Sequence, residues 1–164
     1  MDDLLPALDQ AGKNRSFAKG KDAFAAAQCI TCHRFGNEGG AVGADLTAIS
    51  SRFSRRDILD SIIEPSKAVS EQFQNTTIVK KDGEDVTGRI LEESDKSVVV
   101  LVNPLTGDRA EVQKADIQKR QASQISPMPT GLVSILTKDE ILDLLAYLES
   151  GGKENAPAFK SARN

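Results

Sequence analysis

Cys29-Ile30-Thr31-Cys32-His33 gathers both cysteines and the only histidine of the 164-residue chain into five consecutive positions. Two thiols separated by two residues and followed at once by an imidazole can do three kinds of chemistry. They can cycle between dithiol and disulfide, they can bind zinc, or they can hold a haem while the imidazole reaches its iron from one side. A redox dithiol stands beside a βαβ unit and has no use for the histidine. Zinc needs further Cys or His ligands, and the chain has none left. The C-x-x-C-H spacing therefore points to a c-type haem.

The pentapeptide resembles the signature of the cytochrome c family. That resemblance implies thioether bonds from Cys29 and Cys32 to a single haem c, with His33 as the proximal metal ligand. Such attachment takes place outside the cytoplasm in bacteria, so a periplasmic or otherwise exported location is expected. Met1-Asp2-Asp3-Leu4-Leu5-Pro6 lacks the basic start and apolar run of a signal peptide, so the export signal is expected upstream of this sequence.

The chain before the motif must deliver it. Residues 1–16, broken by Pro6 and Gly12, are expected to be a linker or a short docking segment. Ser16 can cap a helix from Phe17 to Gln28, on which Phe17, Gly20, Phe24 and Ala27 recur at helical spacing. Gly20 and Phe24 resemble the small-then-aromatic pair by which the first helix of cytochromes c crosses the last. Residues 13–34 carry Lys13, Arg15, Lys19, Lys21 and Arg34 against Asp22 alone, a surplus of cations that would steer an acidic redox partner.

After His33, the four glycines between Phe35 and Gly43 predict a loop. Gly43-Ala44-Asp45-Leu46 resembles the family's Gly-Pro-x-Leu segment, with Ala44 in place of the proline. The resemblance implies that a backbone carbonyl here accepts from the His33 imidazole and that Leu46 packs on the porphyrin. Ser54 is the expected cap of a second helix, with Ile58, Leu59 and Ile62 as its apolar stripe, ending near Glu64-Pro65. Arg52, Arg55 and Arg56 around its start are candidate partners for haem propionates.

Beyond Ser66 the periodicity changes. Residues 74–80, 85–92, 97–103, 108–113 and 117–121 are short runs rich in Val, Ile and Thr, separated by turn signals such as Lys81-Asp82-Gly83-Glu84. They predict a small antiparallel sheet of SH3-like or Sm-like type occupying residues 71–122, with no catalytic constellation of its own.

Helix returns after Ser126-Pro127-Met128-Pro129-Thr130-Gly131-Leu132. Thr137-Lys138-Asp139-Glu140 reads as a capping box, and Ile141, Leu144, Leu145 and Leu148 share one face of a helix from about Lys138 to Glu149. Residues 151–164 lack periodicity and are expected to be a flexible tail. The last helix resembles that of cytochromes c, and Met128 stands where the family keeps the distal iron ligand. The pattern over residues 17–150 also resembles the C-terminal haem domain of large secreted planctomycete and verrucomicrobial proteins, often found downstream of a dehydrogenase-like propeller.

The expected fold is thus α+β: a class I cytochrome c-like helical domain, residues 17–70 and 123–150, interrupted by the β insertion. The expected function is electron transfer by one His/Met-ligated haem c, as a carrier and not an enzyme, with a redox protein or a fused dehydrogenase domain as partner. A haem-based sensor with a displaceable sixth ligand is the alternative. A peroxidase is disfavoured, because no second histidine remains as acid-base group. Net charge −3, 4% aromatic residues and the lack of a long apolar run argue against nucleic acid and against a transmembrane segment.

Overall fold

A computed structural model describes residues 4–160. The chain divides into two compact units, one formed by the residues up to Glu64 with those from Thr130 onward, the other by Pro65–Pro129. The outer ends of the expected linker and tail, residues 1–3 and 161–164, lie outside the described residues.

In the first unit, helices α1 (Phe17–Ala26), α2 (Cys29–Cys32), α3 (Arg55–Ile63) and α4 (Lys138–Glu149) carry the core. Each longer helix begins at a side-chain cap. The Ser16 hydroxyl accepts from Lys19 N at 3.3 Å, while Ser54 with Asp57 and Thr137 with Glu140 form complete capping boxes. Residues 141–148 are all buried, including Asp143, because α4 is surrounded by other elements and not laid on a surface.

α1 and α4 cross closely. A Cβ on Gly20 would lie 2.7 Å from Tyr147 Cβ and would also strike the Asp143 carbonyl oxygen. Around the crossing, Phe17, Phe24 and Phe35 pack on Tyr147 with ring centroids 5.2, 5.8 and 4.9 Å away. Such ring pairs contribute beyond their buried area.

The chain ends are tied to this crossing. Residues Leu5–Gly12 form a 3-10 helix that buries Ala7 and Ala11. Arg15 N donates to Ala158 O at 2.9 Å, and Phe159 stacks edge-on against Phe17 at 5.4 Å. The segment expected to be a flexible tail is therefore held as far as residue 160, by contacts that carry no periodicity for a sequence reading to find.

The glycine-rich run after His33 is not loop throughout. β1 (Arg34–Phe35) and β2 (Glu38–Gly39) pair as a minimal hairpin, Arg34 opposite Gly39 and Phe35 opposite Glu38. Two glycines at positive φ, Gly36 and Gly39, allow so tight a reversal.

The second unit is a five-stranded antiparallel sheet: β3 (Thr76–Lys80), β4 (Asp85–Glu93), β5 (Ser97–Asn103), β6 (Asp108–Gln113) and β7 (Ile117–Ala122). Four of its five strands run as a meander in the order β6-β5-β4-β3, and β7 returns to pair with β3. Ile78, Val98, Val100 and Val112 form its core, with Val86, Ile90 and Ile117 packed against them. Glu93 accepts from Lys114 and Arg120 at 2.8 and 3.1 Å, and these hydrogen bonds hold its carboxyl down at about 2. The unit is closed where its ends meet: Ser123 N donates to Asn75 O at 2.8 Å and Ser126 N to Ser66 Oγ at 3.1 Å. Met128 falls within this unit.

Candidate functional site

α1 ends three residues before the first cysteine. Gln28, at φ 57, adopts the left-handed conformation, so α1 stops short of the predicted end at Gln28 and the single turn α2 starts afresh at Cys29. That kink puts Cys29 against the core, 8% exposed, and leaves Cys32 half-buried. The two thiols are not bonded to each other. Burial pushes the Cys29 thiol up to about 11 and raises that of Cys32 as well. Dithiol exchange needs thiolates and low thiol pKa values, so this environment disfavours a pair that cycles.

His33 closes α2, its N–H donating to Cys29 O at 2.9 Å. The ring is oriented by one hydrogen bond: Nδ1 lies 2.8 Å from Ala44 O. A carbonyl oxygen only accepts, so Nδ1 carries the proton and Nε2 keeps its lone pair for a metal. The acceptor predicted from the Gly43-Ala44-Asp45-Leu46 segment is thus in place without a proline, because other hydrogen bonds tie the segment down. Gly43 N donates to Cys32 O at 2.7 Å and Leu46 N to Arg34 O at 2.9 Å. Leu46 is half-buried on the same segment.

The position before Ala44 tolerates no side chain. A Cβ on Gly43 would stand 2.7 Å from His33 Cε1 and 2.8 Å from Nδ1. The glycine is a cradle for the flat face of the imidazole. A Gly43→Ala protein is expected to tilt the ring away from Ala44 O, so that the holoprotein shows altered iron-ligand absorption bands; a spectrum identical to that of the parent would show that the ring has room.

Two unbonded thiols in one helical turn, with an adjacent imidazole that presents Nε2, are the donor set a covalent haem requires, and the residues present fit that group. The family model for cytochrome c matches residues 17–100, just over half of the chain. The chain belongs to the cytochrome c family. Membership brings covalently bound haem c and electron transfer, and the protein is an electron carrier. The match takes in the motif, the His33 hairpin, α3, the first two strands of the sheet and the start of the third; Met128 and α4 lie beyond it. No curated protein matches the chain.

Several charged side chains of this cytochrome are committed elsewhere. Arg55 donates from Nε and Nη2 to the Glu149 carboxylate at 2.8–3.1 Å and from Nη1 to Leu8 O at 2.8 Å. It joins α3, α4 and the N-terminal 3-10 helix, so its suggested place beside a propionate is taken. Arg52 lies over its neighbour Phe53, 5.7 Å from the ring centroid.

The cationic run of residues 13–34 is likewise partly neutralised. Arg15 pairs with Asp139 at 3.2 Å and lies 3.6 Å from Asp143, and Lys21 pairs with Glu38 at 3.8 Å. The Asp143 carboxylate, 5% exposed, also accepts from Ser16 N at 3.0 Å, at the positive end of α1. Sequence reasoning missed Asp143, since nothing near it in the chain distinguishes it from an exposed acid on a helix. Among the described residues, no helix is long and apolar enough to cross a membrane.

Proposed function

We propose that this cytochrome c carries one haem with His33 and Met128 as axial ligands and with thioethers to Cys29 and Cys32, and that it serves as the redox domain of a larger exported protein. The bound iron would alternate between ferrous and ferric states. The observation that carries the reading is the His33 Nδ1 bond to Ala44 O, 2.8 Å long, beside two unbonded thiols. A proton held on Nδ1 makes Nε2 the ligating atom, and the carbonyl's pull on that proton strengthens the imidazole as a donor. Met128 would complete the coordination: a thioether favours the ferrous state and keeps the potential high for a cytochrome. Leu46 would pack on the porphyrin face.

In this reading the haem domain is discontinuous in sequence, with the strands of residues 71–122 as an insertion that supports structure or docks a partner. The partner is a redox protein or a fused dehydrogenase domain. Its steering depends on the cations that Asp139, Asp143 and Glu38 leave unneutralised, since opposed charges accelerate association mainly at low salt.

The competing sensor reading requires an open or readily displaced sixth position. Absorption spectra of both oxidation states, with and without carbon monoxide, separate the two. A ferrous spectrum unchanged by carbon monoxide supports the carrier, and rapid conversion to a carbonyl complex supports the sensor. Covalent attachment has its own check: acid–acetone should leave the pigment on the holoprotein, and Cys29→Ala should yield a single-thioether product or none. Pigment extracted from the unaltered protein would defeat the attachment assignment.

A further inference from the structure

The Ala44 carbonyl orients His33, yet Ala44 has only a methyl group with which to hold itself in place. What lies on either side of it does the holding. The Asp45 carboxylate accepts from Thr47 N at 2.8 Å and from Thr47 Oγ1 at 2.6 Å. Having given its single proton to Asp45, that hydroxyl can only accept from its other neighbour, and it accepts from Gly36 N at 2.8 Å. Hydroxyl bonds to a carboxylate are the stronger, charge-assisted kind.

These contacts close a ring. From His33 the chain runs through Arg34 and Phe35 to Gly36, crosses the Gly36 N–H bond to Thr47, returns through Asp45 to Ala44, and reaches His33 again through the 2.8 Å Nδ1 bond. Slack at the clasp end is passed by short chain segments to the imidazole end. Gly43 N to Cys32 O and Leu46 N to Arg34 O brace the same ring, so rotation of the Ala44 peptide is the motion left for the clasp to prevent.

We infer that Asp45 and Thr47 are positioning residues for the axial imidazole: their clasp on Gly36 fixes the Ala44 carbonyl and thereby sets the donor strength of His33. The inference rests on the reading of His33 as the iron ligand. Loosening the clasp weakens the Nδ1 bond, makes the imidazole a poorer donor, and favours the ferrous state.

His33 is the only histidine, so ¹⁵N-histidine labelling of the holoprotein reports one ring. In the oxidised protein the ring N–H should be hyperfine-shifted by the iron; an unshifted ring overturns the ligand reading, and this inference with it. Thr47→Val, which removes only the hydroxyl's bonds, and Asp45→Ala should each speed solvent exchange of the Nδ1 proton roughly three- to tenfold, the effect of one net hydrogen bond. Both should raise the reduction potential. Asp45→Asn keeps an acceptor oxygen and should restore exchange and potential towards the parent values. If Thr47→Val and Asp45→Ala lose thermal stability while exchange and potential stay at the parent values, the clasp is merely structural and the inference fails, although the ligand reading stands. Should those variants not mature, amide exchange in the parent decides. A His33 Nδ1 proton that exchanges together with the Gly36 and Thr47 amides upholds the coupling, and one that exchanges independently of them refutes it.

Discussion

The Met128→Ala holoprotein is expected to lose the sulfur-to-iron charge-transfer band of the oxidised state, to show a lower reduction potential, and to bind carbon monoxide or cyanide. Apart from Met1 it is the chain's only methionine, and no second histidine exists to compete for the sixth position. Its surroundings suit a fixed thioether. Pro127 and Pro129 restrict the backbone on both sides, and Met128 N donates to Ser126 Oγ at 3.1 Å. Ser126 is tied in turn to Ser66.

The ordinary employment of a methionine is to fill a gap in a core. Met128 is only half-buried, and it is absent from the cluster of Ile78, Val98, Val100 and Val112 that forms the core of its unit. A gap-filler would lower stability on truncation and leave the iron spectrum alone. Truncating a ligand would change the spectrum and the potential. Retention of the parent spectrum and potential in the alanine variant would assign the sixth position to another group and overturn the His/Met assignment.

Gly20→Ala is expected to destabilise the first unit by about 2 kcal/mol or more, even though alanine is the better helix former by roughly 1 kcal/mol. The sign is decided by what the new methyl would meet. Tyr147 Cβ would stand 2.7 Å away, with the Asp143 carbonyl closer still, and neither can yield, because both belong to the backbone frame of α4. The helices would have to separate, loosening the contacts of Tyr147 with Phe17 and Phe24 and straining the bond from Ser16 N to Asp143. Chemical denaturation checks this directly. A midpoint equal to or above that of the parent would show that the crossing is looser than described.

Separating the helices would also move the site. α1 delivers Gln28 and Cys29, and Phe35, two residues past His33, packs against Phe24 and Tyr147 at 5.5 and 4.9 Å. The helix crossing and the orientation of the His33 imidazole therefore belong to one packed cluster. A residue nine positions before Cys29 can affect His33 through packing alone.

What the sequence determined by itself was whatever depends on residues close in the chain. The C-x-x-C-H run declares its chemistry because its donors are adjacent. The caps at Ser16, Ser54 and Thr137 were legible because a capping side chain meets the amide three residues on, and the strand segments were legible because they are rich in Val, Ile and Thr and bounded by turn residues. The Ala44 carbonyl could be anticipated only from the resemblance of Gly43-Ala44-Asp45-Leu46 to the family's Gly-Pro-x-Leu segment. Tertiary structure alone decided which distant groups meet. Asp143 reaches Ser16 across 127 residues, Arg55 reaches Glu149 across 94 and Leu8 across 47, and each of these charged residues reads in sequence as an ordinary solvated side chain. The same holds for β7 pairing back onto β3, for Phe159 folding against Phe17, and for Asp45 and Thr47, whose significance depends on Gly36 eleven residues earlier. A local pattern records the cost of forming an element. Its partner is chosen by the burial and hydrogen bonding gained when elements meet, and that gain is not written in either segment alone.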